Sequence, residues 1–301
     1  MNPTIVEAHG LTKRYGTGTL AVDRLDLEVR HGEVYGFLGP NGAGKTTTLR
    51  MLVGLIRPTS GSATVAGAAP GTPDGLARVG CLVESPAFYP YLSGRDNLRV
   101  IARFCGLPAR RVDGALEEVD LLARGKDRFG TYSLGMKQRL GVAGALLKEP
   151  DLLILDEPSN GLDPEGMVEM RHMIRRLGQG ERTVLLSSHL LNEVELICRR
   201  VGVISHGRMV AEGNLAQLRG SGGLTLRAHP EDGARERLVA MLGADAVTGA
   251  DGAFQLAADP ERAGEINTAL VTAGIVVTEL RPHERSLEQV FLQLTQEAGR
   301  A

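Results

Sequence analysis

The chain has 301 residues, 34 Lys and Arg against 36 Asp and Glu, 39 glycines and no tryptophan. That length is enough to bury one good core and a smaller second one, and a net charge of −2 is too neutral for a protein that wraps nucleic acid or coats anionic lipid. No uninterrupted apolar run reaches the about 18 residues that span a bilayer, the first residues lack a basic stretch feeding an apolar one, and Cys81, Cys105 and Cys198 form no Cys-x-x-Cys pair. A soluble protein with free thiols in a reducing cytosol is expected.

Along the chain, short apolar runs alternate with helical patterns. VYGFLG (34–39) reads as a strand and precedes TTTLRMLVGLI. A long, mostly helical stretch covers about 93–148. DLLILDEP (151–158) is the next strand, followed by a helix from about 164 to 177, and TVLLSSH (183–189) precedes LLNEVELICRR. Continuous apolar strands alternating with helices predict an α/β fold with a parallel sheet covered on both faces, and 93–148 is too long for a simple crossover, so it reads as an inserted helical subdomain. The Gly/Ser-rich segment LRGSGG (218–223) reads as a linker. Beyond it come a strand (LTLRA), a helix over 230–242 opened by Pro, a hairpin (AVTGADGAFQLA) with an Asp-Gly turn, a helix over 260–273, a strand (IVVTEL) and a final amphipathic helix, SLEQVFLQLT. The order β-α-β-β-α-β predicts a small two-layer α+β domain of the split β-α-β kind. The expected division is 1–218 and 222–301. From residue 220 on there are seven basic and twelve acidic residues, so a mildly basic first part carries an acidic appendage.

Four segments carry chemistry. GPNGAGKT, Gly39 to Thr46, fits G-x-x-x-x-G-K-[ST] between a strand and a helix, and the chain has only five lysines to spend on such a match. Glycines let consecutive backbone N–H groups turn inward around a phosphate, and the following helix adds its positive N-terminus. Lys45 can then reach the β- and γ-phosphates of a nucleotide, and the Thr46 hydroxyl can bind Mg2+. LLILDEP ends an apolar strand in two carboxylates, and because strand neighbours point to opposite sides, Asp156 is assigned to the metal and Glu157 to the attacking water. His189 follows the end of another strand; alone it could be an ordinary polar residue, but parallel strands place all their C-terminal ends on one edge, where α/β folds bind ligands. In TYSLGMKQRLGVAGALL (131–147), Ser133 and Gly135 open a strongly amphipathic helix, which reads either as a second anion site or as a plain N-cap.

Taken in order over residues 5–218, GPNGAGKT, YSLGMKQR, LLILDEP, SNGLDP and SSH resemble the nucleotide-binding subunit of an ATP-binding cassette transporter, closest to the subclass that powers drug, bacitracin and lantibiotic exporters. The resemblance implies a P-loop NTPase fold with a helical subdomain, and two cassettes, as a homodimer or with a similar cassette, sandwiching two ATP molecules head to tail. It implies that Gly39, Pro40, Asn41, Gly42, Ala43, Gly44, Lys45, Thr46 and Thr47 bind phosphates and Mg2+, that Tyr15 stacks on adenine, and that Ser133 and Gly135 close on the nucleotide of the other subunit. Gly161 to Asp163 would lie at the dimer seam, His189 would hold the γ-phosphate, and Glu157 would polarise water. The place of the glutamine that touches the metal in most members falls on Glu84. The common signature Leu-Ser-Gly-Gly-Gln is here Tyr132 to Met136. Phe88, Tyr89 and Tyr91 read either as a contact surface or as a plug in the helical insert; the resemblance implies that this stretch, Glu84 to Tyr91, receives a membrane permease subunit. The implied function is ATP hydrolysis that energises export from the cytoplasmic face of a bacterial inner membrane. A cassette acting on ribosomes or DNA usually carries two cassettes or a coiled-coil insert, an importer subunit more often keeps Gly-Gly-Gln, and no nucleic-acid partner is expected. The small domain is expected to dimerise or regulate.

Overall fold

The computed structural model describes residues 3–16, 18–84, 86–219, 222–283, 288, 290 and 291. Two compact units meet in sequence between Asn214 and Leu215. The first begins with two long strands, β1 (Thr4–Tyr15) and β2 (Thr19–Arg30); Leu25, Leu27 and Val29 are buried at period two, the mark of a sheet with one face on a core. β3 (Val34–Leu38) leads through the glycine-rich turn into α1 (Lys45–Leu52). β4 (Ser60–Val65), α2 (Pro73–Arg78) and β5 (Val79–Leu82) follow. Next come the three helices of the insert, α3 (Gly94–Phe104), α4 (Arg110–Glu118) and α5 (Leu134–Leu146). The unit is completed by β6 (Leu152–Asp156), α6 (Pro164–Leu177), β7 (Thr183–Ser188), α7 (Leu191–Ile197), β8 (Arg200–Ser205) and β9 (Arg208–Asn214).

β1, β2 and β4 form an antiparallel sheet in the order β2-β1-β4, and the other six strands form a second sheet in the order β5-β6-β7-β3-β8-β9. The first five of these run parallel and β9 reverses direction. β6 and β7 are buried along their whole length, as continuous apolar runs covered on both faces must be. The two sheets share a core that includes Tyr35, Phe37, Leu49, Ile154, Leu185 and Ile204. Register places Leu38 opposite Ser188 and Asp156 opposite Ser187. The ends of β3, β6 and β7 therefore stand side by side, which is what positions the site.

α5 departs from the amphipathic helix that its sequence predicts. Gln138, Leu140, Gly141, Val142, Ala143, Ala145 and Leu146 are all buried. It packs on β5 and on α3, α4 and α6, so it has apolar neighbours on most sides. Close approach needs glycine on the strand: a Cβ on Gly80 would lie 2.3 Å from the Ala145 carbonyl oxygen. The aromatic segment divides between its two readings. Phe88 packs edge-on against Phe129, with ring centroids 5.2 Å apart, while Tyr89 and Tyr91 are 51% and 67% exposed and lie against each other.

The second unit opens with a short helix, α8 (Leu215–Arg219), and continues through β10 (Gly223–His229), α9 (Glu231–Leu242), β11 (Val247–Ala250), β12 (Ala253–Leu256), α10 (Ala263–Thr272) and β13 (Val276–His283). Its antiparallel sheet has the order β11-β12-β10-β13, and Leu224, Leu226, Phe254, Leu238 and Leu270 share one core. Asp251 and Gly252 both have positive φ, the two-residue hairpin geometry that Asp-Gly signals. Residues 220 and 221 of the expected linker lie outside the described residues, as does the expected final helix apart from 288, 290 and 291.

β3 is tied to its neighbours by a polar group inside the core. The Tyr35 hydroxyl donates to Glu212 Oε1 at 2.9 Å, and Arg200 bridges Glu212 at 2.6 Å and Glu33 at 3.1 Å. Burial pushes the Glu212 carboxyl above the usual glutamate range, against the Tyr35 bond and the Arg200 charge, which both pull it down. The folded chain thus holds this proton more tightly than the unfolded chain does, so stability falls as pH rises from the ordinary glutamate range through the raised folded value. Glu212→Gln is expected to flatten that slope. Denaturation midpoints across this window check it, and a slope equal to that of the unaltered protein would contradict it.

Candidate active site

The turn between β3 and α1 curls over the sheet edge with Gly42 and Gly44 at positive φ. At Gly44, φ is 110°, and a Cβ there would lie 2.5 Å from the Ala21 carbonyl oxygen. Only glycine meets both demands. A cleft of about 220 Å3 opens over this turn, lined by Asn41 to Thr47, Ala21, Glu157 and Asn160. A larger open concavity, about 800 Å3, lies over Glu118, Arg176 and Arg182; there Arg182 pairs with Glu118, and Arg176 with Asp120 and the Glu118 carbonyl oxygen.

Five of the predicted side chains meet at the smaller cleft. Lys45, 5% exposed, donates to the carbonyl oxygens of Gly39 at 2.7 Å and Pro40 at 3.2 Å. Its ammonium also lies 3.1 Å from Glu157 Oε1. The other Glu157 oxygen is 2.7 Å from His189 Nδ1. Beside this line runs a second one: the Thr46 hydroxyl donates to Asp156 Oδ2 at 2.7 Å. A buried cation and a buried carboxylate are thus both supplied with partners, as the loss of water requires.

The two carboxylates serve different groups, as expected, but strand alternation is not the cause. β6 ends at Asp156, and Glu157 stands beyond it with φ of 49°, in the left-handed region that non-glycine residues rarely adopt. The sharp turn aims Asp156 at Thr46 and Glu157 at Lys45 and His189.

Asn41, Gly42, Ala43, Gly44 and Thr47 line the same cleft as predicted; the remaining predicted residues, outside the glycine turn, lie elsewhere. Tyr15 is exposed at the β1–β2 turn, opposite Thr19, with Lys13 Nζ 5.3 Å from its ring centre. Ser133 caps α5 by accepting from the Met136 N–H at 3.2 Å, and Asp163 caps α6 by accepting from the Gly166 N–H at 3.2 Å. Gly135 adjoins the loop that holds Gly161: a Cβ on Gly135 would meet Leu162, and one on Gly161 would meet Leu134. Glu84, expected to bind the metal, pairs instead with Arg50 on α1. With φ of 72° at the end of β5, its carboxylate finds a cation there and does not line the cleft. Asn160, which does line it, was not anticipated; its place beside Gly161 in SNGLD was the available signal.

A parallel sheet, a glycine turn that opens a helix, and a lysine, threonine and carboxylates at one edge define a P-loop nucleotide-binding protein. Residues 22–160 match the family model described as ABC transporter. The chain is 40% identical over 300 residues to the bacitracin transport ATP-binding protein BcrA of Bacillus licheniformis, covering 97% of each chain. It is 38% identical to the daunorubicin/doxorubicin resistance ATP-binding protein DrrA of Streptomyces peucetius, covering 96% of this chain and 92% of that one. The solved structure of cbiO1 from Clostridium perfringens, part of the ABC transporter complex cbiONQ, superposes with a TM-score of 0.65 at 29% identity, over 71% of this chain and 89% of that one. The chain belongs to the ABC transporter family, as an ATP-binding ATPase cassette.

Gly44→Ala is expected to introduce strain of about 1–3 kcal/mol and to weaken nucleotide binding. A denaturant titration and a titration with a fluorescent ATP analogue read the two effects; unaltered values in both would show that the turn accommodates the methyl group.

Proposed function

We propose that this chain hydrolyses ATP to ADP and phosphate as the energising subunit of an exporter, whose drug, peptide-antibiotic or lipid-like substrate passes through a separate membrane permease. The observation that carries the chemistry is Glu157, held between Lys45 and His189 at the mouth of the glycine turn. Likeness over nearly the whole chain to bacitracin transport and daunorubicin resistance ATP-binding proteins supports export over the importer or ribosome readings. No helix among the described residues is long and apolar enough to cross a membrane; in this reading the membrane path belongs to the permease.

In this reading the backbone N–H groups of the Gly39–Thr47 turn, which Pro40 alone lacks, cradle the phosphates and Lys45 neutralises the β- and γ-phosphate oxygens. Glu157 accepts the proton of the attacking water, and His189 holds the γ-phosphate while orienting the Glu157 carboxylate. Thr46 and Asp156 offer one hydroxyl and one carboxylate, hard oxygens that fit Mg2+. Among the described residues no cluster of three or more His, Cys, Asp or Glu could hold a metal, which suits an ion that takes one or two protein oxygens and completes its shell with phosphate and water. Bound there, Mg2+ would neutralise charge on the transferred phosphate. Glu84, paired with Arg50, is left out of this set.

Two copies would sandwich two ATP molecules, as homodimer or with a similar cassette. Tyr15 would stack on adenine, and Ser133, Gly135 and Asp163 would complete the site of the other subunit; the exposure of Ser133 supports this. The paired, exposed rings of Tyr89 and Tyr91 support docking of the permease there, on the cytoplasmic face of the membrane.

Glu157→Gln is expected to lower kcat by about 10²–10⁴-fold without loss of ATP binding, and to shift from monomer to dimer on addition of ATP. Phosphate release and light scattering measure these. A normal hydrolysis rate would remove Glu157 as the base, and a monomer at high protein and ATP concentration would count against the shared site.

A further inference from the structure

We propose that Ser187 is a positioning residue of this site: its hydroxyl sets the direction of both acidic residues at the end of β6. The inference rests on the reading above, in which Asp156 faces Mg2+ and Glu157 faces water. Ser187 lies in β7, 0% exposed, in a strand otherwise apolar over Val184 to Leu186. Its Oγ donates to Asp156 Oδ1 at 2.5 Å and accepts from the Glu157 N–H at 2.9 Å. One hydroxyl thus uses its single proton on one acidic residue and a lone pair on the backbone of the next.

Both bonds act on features that the site needs. Asp156 Oδ2 faces Thr46; with Oδ1 anchored to Ser187, the carboxylate cannot rotate that oxygen away. The Glu157 N–H belongs to a peptide that enters a left-handed residue, a conformation that persists only where surrounding contacts hold it. Direct register between Asp156 and Ser187 puts the hydroxyl within reach of both. The adjacent Ser188 acts elsewhere, since its Oγ accepts from the Leu190 N–H at 2.9 Å and shapes the turn that carries His189. The pair of serines in SSH therefore serves the acidic residues on one side and the histidine on the other.

The test compares Ser187→Ala and Ser187→Thr with the unaltered protein by nucleotide titration with Mg2+, nucleotide titration in EDTA, and ATP hydrolysis. Outer groups that orient a metal's ligands contribute about 10–100-fold to metal affinity or activity. Ser187→Ala is expected to lose about that factor in the enhancement of nucleotide affinity by Mg2+ and in kcat, with metal-free binding unchanged, and Ser187→Thr to restore most of it. Unaltered Mg2+ enhancement and kcat in Ser187→Ala would overturn the proposal. So would an equal loss of metal-free binding, or a defect that Ser187→Thr does not repair, since either marks a role in folding alone. Should Ser187→Ala fail to fold, Ser187→Cys, nearly isosteric but a weak donor, carries the same expectations. If the unaltered protein itself neither hydrolyses ATP nor gains affinity from Mg2+, the reading of the site fails, and that outcome is distinct from failure of the Ser187 assignment.

Discussion

A lysine ammonium almost removed from water has to be surrounded by oxygen. At Lys45 that demand is met by two carbonyl groups of its own turn and by the Glu157 carboxylate. Much of the first unit's geometry answers to this requirement. The carbonyls converge because the turn between β3 and α1 is tight. Glu157 arrives because β6 ends level with it, and His189 because β7 lies between β6 and β3. A parallel sheet is what brings residues more than a hundred positions apart to one ammonium group without any long loop having to fold over.

The same edge shows how a protein separates two neighbouring carboxylates. Asp156 still belongs to the strand and is governed by its register; Glu157 has left it. A single backbone residue in the left-handed region converts adjacent positions into groups with different partners: hydroxyls for one, a cation and an imidazole for the other. The strain of that residue, about 1–3 kcal/mol, is offset by the hydrogen bond from its own N–H to Ser187 and by the ion pair it brings about.

Much of this was legible in the sequence where apolar continuity and a motif coincided. VYGFLG, LLILD and TVLLSS each hold a central apolar run with charged and small polar residues only at the ends, so they are readable as strands. The split β-α-β order of the second unit was readable because Asp-Gly and Pro mark its turns. β1, β2 and β4 were not, since strands half open to solvent mix polar and apolar residues, as SGSATV does. Nor was the partner of Glu84: Arg50 lies on α1, and no local pattern links the two. The burial of α5 was hidden for the opposite reason, because small residues such as Gly141 and Ala145 look neutral in sequence and reveal their packing only once neighbours press on them. Ser187 is overshadowed in the sequence by a nearby histidine of plainer chemistry, although a hydroxyl at the end of an apolar strand already asks where its proton goes.

The reversal of β9 has a consequence outside the site. A sheet of parallel strands alone would end in an open row of backbone donors and acceptors, a template on which another chain could add a strand. Here the last strand turns back on β8 and carries Arg208 and Glu212. The hairpin turn is fastened to β2 through the bond from the Asp23 N–H to the Gly207 carbonyl and the Arg208–Asp23 ion pair. Charge and attachment make that margin a poor template for strand addition, so at the β9 edge the sheet's growth stops with its own chain.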